Sequence, residues 1–438
     1  MKISIIGTGY VGLVSGVCFS EIGHDVSCVD IDTEKISQLS NGQCPIYEPG
    51  LSDMLRSNLD QGKLTFSNDL QKSMESAKVI YIAVGTPEKE NGEADLHYVY
   101  AVAKEIGYFI REGQIVAIKS TVPVGTGKQV KAIIQEESGL NSIQVASNPE
   151  FLREGSAIYD MFHMDRVVFG VESEGAYRTL SELHQPFQTS EVVTNIESAE
   201  MIKYASNAFL AMKISFINEV ANLCEVVGAN VTKVAEGMGY DHRIGSAFLH
   251  AGVGYGGSCF PKDVKAMITI GEKAGYSLKI LPEVDRVNMN QRTRMFYKIK
   301  QAFGDQSLKG KRIALLGLSF KPNTDDIRSA PSLDLIRLLK DDEADIICYD
   351  PIANNQMIKH IKNLTTVSSY MEALTNADAL VLLTEWQEFK EINFKEVKRI
   401  MRCPVVIDGR NIFDPKVMEK LGFHYNSFGR RVVQRKGT

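Results

Sequence analysis

Short apolar runs recur through the first part of the chain, and each run is followed by a loop rich in glycine, proline or polar residues. The runs occupy residues 3–7, 25–30, 79–84, 115–118 and 143–146. A continuous apolar run of this length is typical of a strand that is buried on both faces, as in a parallel sheet. The pattern therefore predicts an α/β domain whose loops gather at the carboxyl ends of the strands.

The middle of the chain has a different pattern. Residues 196–227 contain neither glycine nor proline, and their apolar positions recur three and four residues apart. This spacing predicts one long helix. A helix of this length is suited to connect two domains and to provide a surface that another subunit could share.

The last third of the chain returns to the first pattern. A strand-like run at 311–316 is followed by a helix-like stretch at 332–341 and a second run at 344–350. Two more apolar runs lie within 377–386 and 404–414. The order predicts a second βαβ domain. Only Gly317 follows its first strand, so the glycine pattern of a dinucleotide-binding loop is incomplete there and no such site is predicted in this half. The basic tail, GRRVVQRKGT, is predicted to be flexible.

Composition narrows the class of protein. The chain has 438 residues, of which 44% are hydrophobic and 24% charged, and its formal net charge is -5. These values indicate a globular protein and argue against a nucleic-acid partner, because no large positive field is available. The seven cysteines show neither a CxxC pair nor zinc-ligand spacing, so reduced thiols and no metal site are expected. The absence of a leader-like start and of a membrane-length apolar stretch predicts a cytoplasmic protein with no membrane partner.

The first loop carries a dinucleotide-binding pattern. The sequence GTGYVG spans Gly7 to Gly12, a helix-compatible stretch follows, and the second strand-like run ends in Asp30. Glycines permit a tight turn and a close approach to a pyrophosphate, and an acid at this distance accepts hydrogen bonds from ribose hydroxyls. The alternative is a structural glycine turn. Asp30 would repel a 2′-phosphate, which favours NAD over NADP.

Other candidate residues follow from position. Thr86, Thr121 and Glu150 lie just after predicted strands, so they are candidates for the rim of the site, or else ordinary turn and cap residues. Lys203 and Asn207 are four residues apart in the long helix, where they share a face. Such a pair could converge on one substrate oxygen, or it could be an ordinary surface pair.

A single cysteine lies within GVGYGGSCFPKD, residues 252–263. The glycines before Cys259 and the proline after it predict that the thiol lies where a loop becomes a helix. The positive end of a helix and the nearby Lys262 would favour the thiolate, which is the reactive form. The alternative is a small buried hydrophobic residue.

Taken together, the motifs GTGYVG, NPEFLREGSA, KYASNAFLAMKISFINE, GVGYGGSCFPKD, GLSFKPNTDDIRSAP and DGRNIFD closely resemble the UDP-glucose/GDP-mannose dehydrogenase family. Its members are NAD-dependent nucleotide-sugar dehydrogenases. The resemblance covers nearly the whole chain and implies two Rossmann-like doubly wound domains, joined by a long central helix and a helical dimerisation region. The implied boundaries are 1–195 for NAD, 196–296 for the central region with the cysteine loop, and 297–438 for the UDP-sugar.

The resemblance also implies a reaction. This is the four-electron oxidation of UDP-glucose to UDP-glucuronate with two NAD and water. Cys259 resembles the nucleophile that forms a thiohemiacetal and then a thioester, and Lys203 and Asn207 resemble the residues that stabilise the reacting oxygen. Asp263, with Thr121 and a water, resembles the proton-handling group, and Glu150 resembles the acid/base of thioester hydrolysis.

The binding residues are implied in the same way. Those implied for NAD are Gly7, Gly9, Val11, Gly12, Asp30, Lys35, Thr86, Thr121, Glu154, Lys262 and Arg328. Those implied for the sugar nucleotide are Phe151, Leu152, Arg153, Glu154, Lys203, Asn207, Phe248, Leu249, His250, Ala251, Gly252, Gly256, Lys321 and Arg410, with Arg243 reaching the substrate of a neighbouring subunit in a homodimer or a larger homo-oligomer.

Three alternatives stay open. The same chemistry could act on a UDP-N-acetylhexosamine or on GDP-mannose. A regulatory nucleotide-binding protein could keep the fold without turnover, although it would have no reason to retain the whole catalytic set. A simple two-electron dehydrogenase would not need Cys259.

Overall fold

The computed structural model describes residues 1–434 of the chain. These residues form two compact units. The first unit comprises Met1–Ser206 and Thr269–Tyr276, and the second comprises Asn207–Ile268 and the residues from 277 onward. Each unit contains its own sheet. The three-domain division expected from the family resemblance stays a prediction.

The first unit is built on an eight-stranded sheet. Its strands are β1 Lys2–Ile6, β2 Asp25–Val29, β3 Leu64–Ser67, β4 Val79–Ile82, β5 Ile115–Ile118, β6 Gln144–Ser147, β7 Val167–Gly170 and β8 Glu191–Thr194. The spatial order is β3-β2-β1-β4-β5-β6-β7-β8, and all pairs are parallel except β6 with β7. The first six strands have the doubly wound order of a dinucleotide-binding sheet, which confirms the predicted fold class.

Helices cover both faces of this sheet. They are α1 Tyr10–Glu21, α2 Thr33–Ser40, α3 Leu51–Asp60, α4 Leu70–Met74, α5 His97–Phe109, α6 Thr126–Ser138, α7 Ala157–Phe162 and α8 Glu174–His184, followed by a 3-10 turn at Gln185–Phe187. Alternate residues of β1 point to opposite cores, Ile3 and Ile5 to one and Ile6 to the other. Strands β1, β4 and β5 are therefore buried on both faces, as their apolar runs predicted.

Four helices occupy the middle of the chain. They are α9 Ile196–Val227, α10 Val231–Gly239, α11 Phe260–Lys273 and α12 Leu281–Ala302. Helix α9 has 32 residues and the predicted bounds. Within residues 1–434, no helix is both long and apolar enough to cross a membrane.

The second unit contains a six-stranded parallel sheet. Its strands are β9 Arg312–Leu316, β10 Asp345–Tyr349, β11 Thr365–Thr366, β12 Ala379–Leu382, β13 Val405–Asp408 and β14 His424–Ser427. The helices of this part are α13 Pro331–Asp341, α14 Asn354–His360, α15 Tyr370–Leu374, α16 Gln387–Lys390, α17 Phe394–Ile400 and α18 Pro415–Leu421. The order β11-β10-β9-β12-β13-β14 repeats the first six positions of the other sheet.

The prediction of a flexible tail is wrong for residues 429–433. The amide of Gly429 donates to Glu225 at 2.8 Å, and Tyr425 and Val433 exchange two backbone hydrogen bonds of 2.9 Å. The Arg430 side chain is buried and donates to the carbonyl of Phe413 at 3.1 Å. These contacts fix a segment that composition alone assigns to solvent. The last four residues of the predicted tail, 435–438, lie outside the described residues.

Candidate active site

The glycine loop adopts a conformation that requires its glycines. Gly7 has a φ of +101°, and a Cβ at Gly12 would lie 1.9 Å from the carbonyl oxygen of Gly7. Gly9 is exposed and precedes α1, whose N-terminus has neither a side-chain cap nor an acid in its first turn. The backbone amides that begin α1 therefore donate to no capping side chain from the helix itself. They remain suited to donate hydrogen bonds to a pyrophosphate.

Asp30 follows β2 and faces the same loop. Its carboxylate accepts from the amide of Thr8 at 2.9 Å, the Thr8 hydroxyl at 2.6 Å and the Lys35 ammonium at 2.8 Å. Burial raises the pKa of Asp30, but the hydrogen bonds from Lys35 and Thr8 outweigh burial and hold it at about 2. The group is ionised at neutral pH and can accept from ribose hydroxyls. The residues present therefore fit a dinucleotide.

The loops after β4 and β5 are joined to each other. The Thr86 hydroxyl donates to the carbonyl of Thr121 at 2.9 Å, and the Ser120 hydroxyl donates to the carbonyl of Val84 at 2.7 Å. Sequence reasoning placed Thr86 and Thr121 at one edge of the sheet, and the structure brings them into contact.

Glu150, in the loop after β6, forms a buried ion pair. Its Oε1 lies 3.0 Å from Nζ of Lys203, and both side chains are less than a tenth exposed. Its other oxygen accepts from the amide of Leu152. The Phe151 ring has the Arg166 guanidinium 3.6 Å from its centre and the Lys203 ammonium at 5.4 Å. Burial of Lys203 contradicts the alternative of an ordinary surface lysine.

A second buried lysine was missed by sequence reasoning. Lys119 directly follows β5, and its Nζ donates to Oδ1 of Asn148 at 3.1 Å and lies 5.4 Å from the centre of the Tyr81 ring. Burial lowers the pKa of Lys119 to about 8, although the charge of Glu150 opposes this shift. The lysine thus adds positive potential near the Glu150 carboxylate. In the sequence it is one lysine after an apolar run, and that signal is too weak to find it.

Glu48 was also missed. Its buried carboxylate accepts from the Tyr10 hydroxyl, from the amide of Gly155 at 2.6 Å and from the amide of Ala157 at 2.7 Å. Tyr10 belongs to the glycine loop, and Gly155 belongs to the NPEFLREGSA motif. Glu48 therefore fixes one loop of the site against another.

In the second unit, Cys259 lies directly before α11, as predicted. Its carbonyl accepts from the amide of Asp263 at 2.8 Å, which closes the first turn. The Asp263 side chain is 1% exposed, and its two oxygens accept from Nδ2 of Asn207 at 2.6 Å and from Nζ of Lys262 at 2.5 Å. The structure thus joins three residues that the sequence reasoning proposed separately.

Cys259 differs in exposure from the structural cysteines. Cys18, Cys28 and Cys348 are fully buried, and burial raises their pKa, to about 12 for Cys18 and Cys28. Cys259 is half-buried. The alternative of a buried hydrophobic residue therefore describes those cysteines and not this one. No disulfide joins any of the seven cysteines.

The glycines before Cys259 permit close backbone contacts. A Cβ at Gly252 would lie 2.5 Å from the carbonyl oxygen of Gly409, and one at Gly256 would lie 2.3 Å from that of Ser329. Gly257 has a φ of +85° and its amide donates to the carbonyl of Arg328 at 2.8 Å. The cysteine loop, residues 252–259, therefore packs closely against the loops that follow β9 and β13.

Helix α12 holds this loop through a row of polar side chains that sequence reasoning missed. Oδ1 of Asn288 accepts from the amide of Tyr255 at 2.8 Å, and Nε2 of Gln291 donates to the carbonyl of Gly252 at 2.9 Å. Arg292 donates to the carbonyls of Tyr255 at 2.8 Å and Ser329 at 2.9 Å. Their i, i+3, i+4 spacing on α12 was the available signal.

Arg410, predicted to bind substrate, is extensively engaged by the protein. Its guanidinium donates to the carbonyls of Leu383 at 2.6 Å, Phe320 at 3.0 Å and Gly254 at 3.3 Å. It therefore organises three loops of the second unit, whatever else it binds.

The acid of the second sheet differs from Asp30. Asp350 follows β10 at the position that Asp30 has after β2, but it is 0% exposed. It accepts from the amides of Leu318 at 2.7 Å and Ala353 at 2.8 Å and from the Trp386 indole at 3.1 Å. A carboxylate enclosed by protein donors has no capacity left for a ribose.

Three arginines that were predicted to bind ligands form ion pairs with aspartates of the same chain. Arg153 pairs with Asp160, Arg243 with Asp241 and Arg328 with Asp326. All three arginines are largely exposed. Among the other predicted residues, Val11 lies in the first turn of α1 and Glu154 lies directly before Gly155, while the loops of the second unit contain Phe248, Leu249, His250, Ala251 and Lys321. Within residues 1–434, no three of the His, Cys, Asp and Glu side chains could together hold a metal ion.

Three domain descriptions of one family match the chain in order. The NAD binding domain of the UDP-glucose/GDP-mannose dehydrogenase family matches residues 1–188, its central domain 197–290 and its UDP binding domain 314–415. The chain belongs to the UDP-glucose/GDP-mannose dehydrogenase family. This result confirms the family resemblance, the NAD-dependent dehydrogenase class and the two Rossmann-like domains.

Individual dehydrogenases of this family are similar over the full length. A UDP-glucose 6-dehydrogenase of Bacillus subtilis (strain 168), TuaD, is 51% identical over 99% of this chain and 94% of its own length. That of Rhizobium meliloti (strain 1021) is 48% identical over 98% of this chain and all of its own. A solved UDP-glucose dehydrogenase from Pyrobaculum islandicum has a TM-score of 0.89 and 38% identity, covering 94% of both chains.

Proposed function

We propose that the protein oxidises UDP-glucose to UDP-glucuronate with two NAD and one water, releasing two NADH. The observation that carries this proposal is the placement of Cys259 at the start of α11, half-buried and one turn before an enclosed Asp263. An alcohol oxidised only to an aldehyde needs no thiol. A four-electron oxidation needs a nucleophile, because the aldehyde must gain one before it can lose a second hydride, and a thiol at this position can supply it.

In the first oxidation, C6 of the glucose loses a hydride and its hydroxyl loses a proton. When bound, NAD accepts the hydride in this step and in the second oxidation. Lys203 and Asn207 would donate to the oxygen while it carries negative charge. Asp263, with Thr121 and a water, would take the proton. The support for these roles is that Lys203, Asn207 and Asp263 are all buried with polar partners.

In the second oxidation, the sulfur of Cys259 bonds to the aldehyde carbon and gives a thiohemiacetal. Loss of a hydride from this carbon gives a thioester. Water then adds to the thioester, the carbon–sulfur bond breaks, and the acid and the thiol are released. Glu150 would move the proton of that water. Its contact with Lys203 places this carboxylate beside a proposed donor to the reacting oxygen, which supports the role.

The remaining assignments belong to the same proposal. Residues 1–195 would bind NAD through the glycine loop and Asp30, 196–296 would carry the cysteine loop and the contact between subunits, and 297–438 would bind the UDP group. A cytoplasmic location is supported by seven cysteines without a disulfide.

The competing substrates are UDP-N-acetylhexosamines and GDP-mannose. The test is an NADH-forming assay against a panel of nucleotide sugars, with each product identified by mass. We expect the highest kcat/KM for UDP-glucose and two NADH for each UDP-glucuronate. A higher kcat/KM for another sugar nucleotide would assign the chain to that substrate, and one NADH for each product would indicate a simple two-electron dehydrogenase.

Cofactor preference tests the role of Asp30. We expect kcat/KM for NAD to exceed that for NADP by about 10²-fold or more, because a carboxylate beside a 2′-phosphate is repelled by several kcal/mol. Asp30→Ala should lower kcat/KM for NAD and bring the two cofactors closer together. Asp25→Ala is the matched control, since it removes the same charge from the other end of β2. Equal kcat/KM for both cofactors in the unchanged protein would contradict this placement of the carboxylate.

The contact between subunits is proposed on the surface of α9. Phe209, Phe216 and Leu223 lie seven residues apart and are 57%, 49% and 59% exposed. Seven residues are close to two helical turns, so the three side chains form one apolar stripe. An exposed stripe of this kind is typical of a surface covered by another subunit. A second copy of this chain is the expected occupant, which fits the expectation that Arg243 serves a neighbouring subunit.

Sedimentation under assay conditions should therefore show a dimer or a larger homo-oligomer. The double substitution Phe209→Glu and Phe216→Glu places charges in the stripe and should shift the protein to monomers with reduced activity. Tyr108→Glu, an exposed aromatic of α5, is the control and should leave the assembly intact. A fully active wild-type monomer would refute both the shared stripe and the proposed role of Arg243.

A further inference from the structure

A buried carboxylate of α9 is not used by the proposed reaction. Glu200 is 2% exposed. Its Oε2 accepts from the amide of Gly125 at 2.7 Å, and its Oε1 accepts from the amide of Gly127 at 2.7 Å. The two oxygens thus bind two amides of a segment that is more than 70 residues distant in the sequence.

Those amides begin α6. Gly125 is the N-cap residue with a φ of +95°, and it has no side chain that could cap the helix. The first turn of α6 also contains no acid. Glu200 therefore provides from another helix the acceptor and the negative charge that an N-terminus ordinarily obtains from its own cap residue.

The two helices approach closely at this point. A Cβ at Gly127 would lie 2.4 Å from Cγ2 of Ile196 and 3.3 Å from Oε1 of Glu200. Glycine at 127 is thus required for the carboxylate to reach both amides. Because α6 and α9 pack so closely at Gly127, the distance between the two helices depends on the contact of Glu200 with these amides.

The loop that precedes α6 carries Thr121. At its start, the carbonyl of Thr121 accepts from Thr86 at 2.9 Å. At its end, the Thr126 hydroxyl donates to the carbonyl of Pro123 at 2.6 Å, and Glu200 binds Gly125. The loop is therefore fixed at both ends, and its second attachment is to the helix that carries Lys203 three residues after Glu200.

We infer that Glu200 is a positioning residue that fixes the Thr121 loop to α9 and so sets the geometry in which the loop binds NAD. This inference rests on the proposed function, because Thr121 is assigned to the cofactor and to proton transfer there. Glu200 itself is assigned no contact with substrate or cofactor.

The ionisation of Glu200 allows a second measurement, the pH dependence of the KM for NAD. Burial raises its pKa to about 7, although the amides of Gly127 and Gly125 oppose this shift. The charged and titratable groups that act on it are Glu197, which raises the pKa, Lys128 on α6, which lowers it, and Tyr100 on α5. An ionised carboxylate can accept hydrogen bonds from both amides, whereas a protonated carboxyl group has one acceptor oxygen fewer. The attachment should thus weaken as the pH falls below about 7.

The test is Glu200→Gln, which keeps the size but turns an NH₂ group toward one of the two amides. We expect hydrogen exchange at Gly125 and Gly127 to accelerate and the KM for NAD to rise about tenfold, as the loss of one hydrogen bond to a charged group implies. The KM for UDP-glucose should change less than twofold. Lowering the pH from 8 to 6 should raise the KM for NAD in the wild type and leave it unchanged in the variant.

Glu197→Gln is the matched control. Glu197 lies on the same helix and pairs with Lys128 of α6, so its loss removes a surface ion pair between the same two helices without touching the amides. In this control, amide hydrogen exchange at Gly125 and Gly127 and the KM values for NAD and UDP-glucose should equal those of the wild type. If Glu200→Gln does not fold, Glu200→Asp keeps the charge but is too short to reach both amides, and the same increases are expected.

Two results would overturn the inference. One is unchanged amide exchange and unchanged KM for NAD in the Glu200 variant. The other is an equal rise in both KM values, which would show a purely structural role. Exchange at the two glycines and direct titration with NADH do not require turnover. A wild-type protein that failed to oxidise UDP-glucose would therefore contradict the proposed function alone.

Discussion

Cys259→Ala should abolish steady formation of UDP-glucuronate, with a loss of about 10³-fold or more in turnover to the acid. The sulfur forms the bond that allows the aldehyde to lose a second hydride, and alanine has no group that can replace it. The variant should still bind NAD, because Asp30 and the glycine loop are unchanged, and it should still form aldehyde slowly. Product analysis by mass with NADH counted for each substrate provides the measurement.

Two further variants make this result specific. Cys259→Ser supplies a poorer nucleophile and a more stable ester, so turnover should collapse while an acyl adduct accumulates on the serine. Cys403→Ala removes another half-buried cysteine of the same unit and should retain activity. Steady acid formation near the wild-type rate by Cys259→Ala would falsify the thioester mechanism.

Lys203→Met should lower kcat by about 10²- to 10³-fold, the effect of removing one donor to a developing oxyanion. Methionine preserves most of the volume but no charge, so Glu150 is left buried without its cation. Removing one partner of a buried ion pair also costs about 3 kcal/mol or more of stability. We therefore expect a lower Tm together with the loss of kcat, measured by thermal unfolding and by steady-state kinetics.

Lys213→Met is the control for that variant. Lys213 lies on the same helix, but its Nζ donates to the carbonyl of Ile244 at 3.0 Å and has no carboxylate partner among residues 1–434. Its substitution should change kcat less than twofold. If Lys203→Met kept full kcat while losing stability, the lysine would be structural and the oxyanion role would have to be reassigned.

The fold was predictable where local pattern decides it. Helix α9 has the predicted bounds, and β5 spans the predicted apolar run, because both are long or continuous apolar segments. Strands β3 and β14 were not predicted. Their sequences, LTFS and HYNS, are short and polar, and they become strands only because a neighbouring strand offers backbone partners.

The site was predictable to the extent that its residues lie in contiguous motifs. The positions of Asp30 after β2 and of Cys259 before α11 were predicted in this way, each beside a glycine-rich loop. Glu48 and Glu200 were not found, because each binds amides more than 70 residues away and has no neighbouring residue that signals this. Contacts between distant segments are a product of tertiary packing, so residues that hold loops are harder to predict than residues that bind ligands.

The enclosed Asp350 restricts the order in which two NAD molecules could bind during the proposed reaction. The second sheet repeats the order of the first, yet its acid is occupied by protein donors, so it has no counterpart to the accepting carboxylate of Asp30. In the proposed reaction, both NAD molecules would then use one binding position in succession. The sugar would have to remain bound while NADH departs and a second NAD arrives. Each cycle of the proposed reaction would then take up NAD and release NADH twice, so a high NADH/NAD ratio would slow it more steeply than it slows a single-hydride dehydrogenase.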